Sequence, residues 1–143
     1  MSGLSFYVRI YYMTGFILLL SFVFGSIIGS FLNVLILRYN TGRSVGGRSS
    51  CLHCGAGLFW YELIPLISFL IQKGRCRSCG VTVSWQYPIV ESVTGLIFMS
   101  VIYSSFTTYN LQLTTYNMLT IGYLLIASCL LISITVYDIR HKI

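Results

Sequence analysis

Four of the chain's five cysteines stand in two copies of one short pattern. These are Cys51-Leu52-His53-Cys54-Gly55 and Cys76-Arg77-Ser78-Cys79-Gly80. The spacing is close to the paired C-x-x-C arrangement of zinc sites. Zinc accepts four thiolates in a tetrahedron, and each C-x-x-C turn brings two sulfurs to one centre. The glycine after each second cysteine permits a left-handed backbone, so amide hydrogens can point at sulfur. Arg48, Arg75 and Arg77 lie beside the pattern and favour the thiolate form. Two disulfides, or a pair of redox-active dithiols, are the competing readings of the same spacing. Stable disulfides are disfavoured in a reducing compartment, and a redox C-x-x-C normally occurs once, in a βαβ setting that is absent here. A structural zinc held by Cys51, Cys54, Cys76 and Cys79 is therefore expected, with His53 as a spacer. Cys129 lies in an apolar run and reads as a small packing residue.

The chain has only three acids, Glu62, Glu91 and Asp138, against nine lysines and arginines. Glu62 and Glu91 are read as structural. Glu91 is expected to pair with Arg38 or a knuckle arginine, or to stabilise the start of its own helix. Asp138 is the one aspartate. It ends an apolar run and is followed by Arg140, His141 and Lys142, so it is either a reactive carboxylate or an interfacial acid closing a helix.

The elements that position these groups belong to a membrane protein. Of the 143 residues, 56% are hydrophobic and 8% are charged, and the mean hydropathy is +0.82. That balance excludes an ordinary soluble globule and a disordered chain. Three apolar runs are long enough to cross a bilayer: Phe16 to Leu37, about Pro88 to Phe106, and about Met118 to Tyr137. The first would reach about 33 Å as a helix, against a hydrocarbon core of about 30 Å. It is also too long for the apolar part of a removable signal peptide. Backbone groups in lipid must pair within their own segment, so all three are expected to be helices. Gly25 and Gly29, like Ser26 and Ser30, put small residues on one face of the first, suited to close helix contact. Asn33 is expected at a helix interface or bonding across one, and Ser84 before Pro88 reads as a helix cap.

Between the first two runs lie Arg38, Arg43, Arg48, Lys73, Arg75 and Arg77; after the third come Arg140 and Lys142. The connection Thr107 to Asn117 carries no charge. The positive-inside rule then puts segment 38–87 and the C-terminus in the cytoplasm and the N-terminus outside. Bases so close to lipid are attracted by anionic headgroups, so membrane lipids are expected partners and nucleic acid is not. The 58–71 stretch, broken by Glu62 and Pro65, reads as a helix or hairpin lying on the bilayer or the other helices. The fold class is an all-α integral membrane bundle of about three helices with a small cytoplasmic four-cysteine, zinc-ribbon-like insertion. Its parts are residues 1–37 (N-terminal tail and first helix), 38–87 (zinc-binding loop) and 88–143 (the remaining two helices).

Several motifs resemble those of type IV prepilin peptidases, the aspartic peptidase family A24. Gly29-Ser30-Phe31-Leu32-Asn33-Val34 with Arg38 resembles the family's first-helix motif. Arg48-Ser49-Ser50-Cys51-Leu52-His53-Cys54 and Gly74-Arg75-Cys76-Arg77-Ser78-Cys79 resemble its two knuckles. Trp60 to Ser68 matches W-x-x-x-I-P-x-x-S, and Ser84 to Gly95 matches S-x-x-Y-P-x-V-E-x-x-T-G. Asp138-Ile139-Arg140 resembles the start of its first catalytic motif.

The resemblance implies a multi-pass inner-membrane aspartic endopeptidase that removes the basic leader of prepilins and pseudopilins at the cytoplasmic face. Many members also N-methylate the new terminus with S-adenosylmethionine, so that donor is the second cofactor implied, and contact with it or with the incoming amine is the competing reading for Glu62 and Glu91. Asp138 would be the first of two catalytic carboxylates. The second, in a G-x-G-D motif, is absent from these residues, and an aspartic protease needs one ionised and one protonated carboxyl. The chain is therefore expected to be the N-terminal part of the enzyme, inactive as a peptidase alone, completed by further C-terminal helices or packed as a homo-oligomer. Leu52 and Asn40 stand where the family often has proline. The alternative is a non-enzymatic, membrane-anchored zinc-ribbon interaction module.

Overall fold

The computed structural model describes residues 2–39, 46–108 and 115–141. Asn40, Arg43, Lys142 and the middle of the uncharged 107–117 connection lie outside the described residues. Helix α1 runs over Ser2–Arg38, α2 over Ile67–Ile71, α3 over Gln86–Thr108 and α4 over Thr115–His141. A single 3-10 turn, Trp60–Leu63, precedes α2. Among the described residues three helices are long and apolar enough to cross a membrane, over Tyr11–Arg38, Gln86–Thr107 and Tyr116–Arg140. The chain is a helical, multi-pass membrane protein with the cysteine-bearing segment inserted between its first two spans.

The stretch read from sequence as an N-terminal tail instead continues α1 back to Ser2. It contains no proline, and an established helix gains one hydrogen bond for each residue it adds.

The packed centre is the crossing of α1 and α3. On α1 the buried positions are Gly25, Ser26, Gly29, Leu32, Asn33 and Ile36. Their spacing of three and four defines one helix face. On α3 they are Val90, Glu91, Thr94, Gly95 and Phe98. The backbones approach so closely that a Cβ on Gly29 would lie 2.9 Å from the Glu91 Cα. One on Gly95 would lie 2.6 Å from the Ser26 hydroxyl. The small-residue face expected on the first span is therefore the contact face. The hydroxyls buried there cost little, because each donates back to its own helix: Ser26 to the Phe22 carbonyl at 2.9 Å and Thr94 to the Val90 carbonyl at 2.7 Å.

Helix α4 packs more loosely. Among its described residues only Asn117, near its start, is buried, and Leu119, Tyr123, Leu130 and Leu131 are exposed. Cys129 is half-buried on it. Two side-chain contacts hold its C-terminal end. Tyr137 meets Tyr39 edge-on, with ring centroids 5.4 Å apart, and Arg140 donates to the Gln86 side-chain oxygen at 3.2 Å. The C-terminal ends of α1 and α4 and the start of α3 thus share one membrane boundary, and the cysteine-bearing insertion hangs from it.

Candidate metal centre and carboxylate face

The two cysteine turns are built alike. In the first, Cys51 N–H donates to the Ala56 carbonyl, Gly55 N–H to the Cys51 carbonyl and Leu58 N–H to the Ser49 carbonyl. In the second, Cys76 N–H donates to Val81, Gly80 N–H to Cys76 and Val83 N–H to Gly74. Each is closed by one antiparallel bridge, Ser50 with Gly57 and Arg75 with Thr82. Gly55 and Gly80 both take positive φ, 72° and 70°, where a side chain would be strained. The sequence duplication is therefore a structural one.

The turns face each other. All four sulfurs lie within 4.8 Å of one another, and Cys51 Sγ is 3.9 Å from Cys79 Sγ. A tetrahedron with zinc–sulfur bonds of about 2.3 Å has edges of about 3.8 Å. The four cysteines are close enough to hold a metal ion, and the donor set fits zinc. The cluster draws two sulfurs from each turn, which joins the hairpins to one another. His53 is not part of it. The N–H groups of Cys54 and His53 hold the Cys51 thiol down to about 6. At Cys79 the Val81 N–H acts in the same sense, but desolvation by its neighbours and the three other sulfurs outweigh it and push the thiol up to about 12. Four thiols so close release the first proton readily and resist the last; a dication relieves that repulsion.

Between the turns, Glu62 accepts the Phe59 N–H at 2.8 Å and closes its own 3-10 turn. Phe59 stacks on Tyr61, which accepts a hydrogen bond from Arg77 at 3.0 Å. The Ile64-Pro65-Leu66 turn is tight: Leu66 has φ 61° and ψ −48°, and Ile67 N–H reaches the Pro65 carbonyl at 2.6 Å. This is a strained γ-turn. Its Leu66 N–H points inward and donates to Glu91 Oε2 at 2.9 Å. Glu91 is 6% exposed, and the Ser30 hydroxyl supports the same carboxyl group. Glu91 thus has a backbone amide among its partners, which neither the arginine pairing nor the helix-start role expected of it foresaw, and it ties the insertion to the α1–α3 crossing.

Asn33 is wholly buried and bonds across helices, donating to the Tyr87 carbonyl at 3.3 Å. Gln86 Nε2 donates to Asn33 Oδ1 at 3.5 Å, while Gln86 Oε1 accepts from Arg140. Ser84 caps the helix, its hydroxyl accepting the Gln86 N–H at 3.2 Å. Asp138 is exposed in the last turn of α4, at the boundary where the cysteine insertion emerges. The structure brings the four cysteines together and leaves Asp138 outside that cluster, on the same end of the bundle. Sequence reasoning missed Gln86, which joins all three long helices, and the Leu66 turn. Proline at 65 was the only local signal for the latter.

A three-span membrane protein with a four-cysteine ribbon between its first two helices is the class that fold and site define. The chain belongs to the family of the bacterial peptidase A24 N-terminal domain, whose profile matches residues 23–105. It is 50% identical over 91 residues to a prepilin leader peptidase/N-methyltransferase of Myxococcus xanthus, covering 63% of this chain and 27% of that protein. A Bacillus subtilis protein of the same name is 46% identical over 78 residues, or 54% of this chain and 32% of the relative. A type 4 prepilin-like proteins leader peptide-processing enzyme of Escherichia coli is 40% identical, over 56% of this chain and 37% of the relative. The chain thus spans about a third of the length of these relatives. No solved structure gives a significant match.

Proposed function

We infer that this chain is the N-terminal part of a prepilin leader peptidase/N-methyltransferase of the bacterial inner membrane, cleaving the leader of prepilins and pseudopilins at the cytoplasmic face. One observation carries the reading. The family's paired knuckles converge at the membrane boundary where α4 presents Asp138. The chain divides into an N-terminal helix (1–37), a metal-binding insertion (38–87) and two further helices (88–143). Cys51, Cys54, Cys76 and Cys79 hold a structural zinc, which supplies a cross-link between two hairpins and takes no part in cleavage. The bases on the insertion support its cytoplasmic placement. The names of the relatives support a methyl donor, S-adenosylmethionine, as the second cofactor.

Asp138 is one of two catalytic carboxyls. A paired arrangement lets one ionised carboxylate activate water while its protonated partner polarises the scissile carbonyl. Asp138 is the only aspartate of the chain, so the partner comes from outside these residues. The purified chain is expected to leave a prepilin uncut. Joined to the remaining helices of a relative, it is expected to cut, and Asp138→Asn to reduce cleavage at least ~1000-fold, as loss of an essential catalytic group does. Cleavage by the isolated chain would overturn the need for a second carboxyl. Cleavage by the joined enzyme that survives Asp138→Asn would overturn the role of this residue.

A further inference from the structure

The second knuckle, α2 and the approach to α3 enclose an open groove lined by Phe69, Leu70, Lys73, Arg75, Val83 and Trp85. The geometry points to this groove as a binding site for an anionic phospholipid, its headgroup phosphate on Lys73 and Arg75 and its acyl chains along Leu70 and Trp85. This goes beyond the peptidase reading and does not depend on it.

Charge and position select the occupant. Two cations line the groove, and none of the chain's three acids does. Glu62 is engaged with its own turn and Glu91 with the Leu66 amide, while Asp138 lies on α4. The apolar wall is open: Leu70 is 72% exposed and Trp85 70%. Trp85 tilts against Phe69 with ring centroids 5.0 Å apart, so the wall is a built surface. It also immediately precedes Gln86, the first residue of the second span. The groove therefore opens at the membrane boundary, where tryptophan is favoured. A cationic ledge beside an apolar wall at that depth matches an amphiphile with a negative head. Lys73 sits at φ 52°, a conformation that glycine adopts at lower cost. Its ammonium is thus offered from a backbone position that does not favour a side chain.

The full chain, purified in non-ionic detergent with its zinc, is titrated with phosphatidylglycerol or phosphatidylcholine, and bound lipid is read by native mass spectrometry. Phosphatidylglycerol is expected to be retained preferentially. Lys73→Gly with Arg75→Gln is expected to weaken it about thirtyfold and leave phosphatidylcholine unchanged, the factor that ~1 kcal/mol per base gives. Lys73→Gly removes charge while easing the backbone. Should the double variant lose its zinc, this single change carries the test with an expected fall of about fivefold. Equal retention of the two lipids, or phosphatidylglycerol binding untouched by these changes, would overturn the site. Displacement of the lipid by millimolar inorganic phosphate would reassign the groove to free phosphate and also overturn the proposal.

Discussion

Leu66 holds a backbone conformation that costs on the order of 1–3 kcal/mol outside glycine, and its N–H is directed at the buried carboxyl of Glu91. A hydrogen bond contributes about 0.5–1.5 kcal/mol net, which offsets a large part of such strain. The carboxyl is therefore a bracket between the insertion and the helix crossing. This separates two substitutions. Glu91→Gln keeps an oxygen acceptor and is expected to remain within about 1 kcal/mol of the parent. Glu91→Ala leaves the Leu66 N–H unpaired and is expected to cost about 1–3 kcal/mol. Denaturation in mixed micelles, followed by Trp fluorescence, measures both. Equal losses for the two would show that shape rather than hydrogen bonding is what Glu91 supplies.

At the scale of elements, the α1–α3 crossing depends on missing side chains. A methyl on Gly29 would meet backbone, 2.9 Å from the Glu91 Cα and 3.0 Å from the Val90 carbonyl oxygen. Backbone cannot rotate aside, so Gly29→Ala must push the helices apart. Overpacking of this kind costs about 1–3 kcal/mol. Gly122 on α4 has nothing within 4 Å of the same construction, so Gly122→Ala is expected to be neutral. Thermal unfolding of the two variants side by side checks the contrast. A neutral Gly29→Ala would mean that the crossing is looser than described.

This element was legible because small residues four apart leave a face that only another helix fills. The spans were equally legible, since lipid dictates their length and composition. The knuckles were readable from cysteine spacing, which reflects a fixed coordination geometry. What stayed hidden was non-local. Glu91 carries no sign that its partner is an amide 25 positions earlier, and nothing beside Gln86 announces contacts with both Asn33 and Arg140. Helix α1 was underestimated at its start for a different reason: hydropathy reports where lipid lies, and a helix continues beyond it when nothing breaks it.

Taken whole, the molecule has two parts stabilised by different means. The helices carry their own hydrogen bonds and meet on a close-packed face. The insertion has almost no core: among its described residues only Cys76 is buried. Among those residues its regular structure amounts to two isolated bridges, a 3-10 turn and the five residues of α2. A segment with so little buried apolar surface cannot offset its conformational entropy unaided. A metal ion on the four sulfurs would supply the difference, since binding energy at such sites is folding energy, roughly 10–16 kcal/mol in small zinc peptides. Chelation of the reduced protein is therefore expected to divide the molecule. The insertion should lose order, so that trypsin cuts its backbone after the already exposed Lys73, Arg75 and Arg77, while the helical circular dichroism of the three spans persists. Restoring zinc should restore resistance, and Cys54→Ser should behave as the chelated protein does without chelator. Tryptic resistance that is indifferent to chelation would mean that the Glu91 tether and the aromatic contacts of Phe59, Tyr61 and Trp85 hold the insertion by themselves. The metal would then be an ornament on a fold that stands without it.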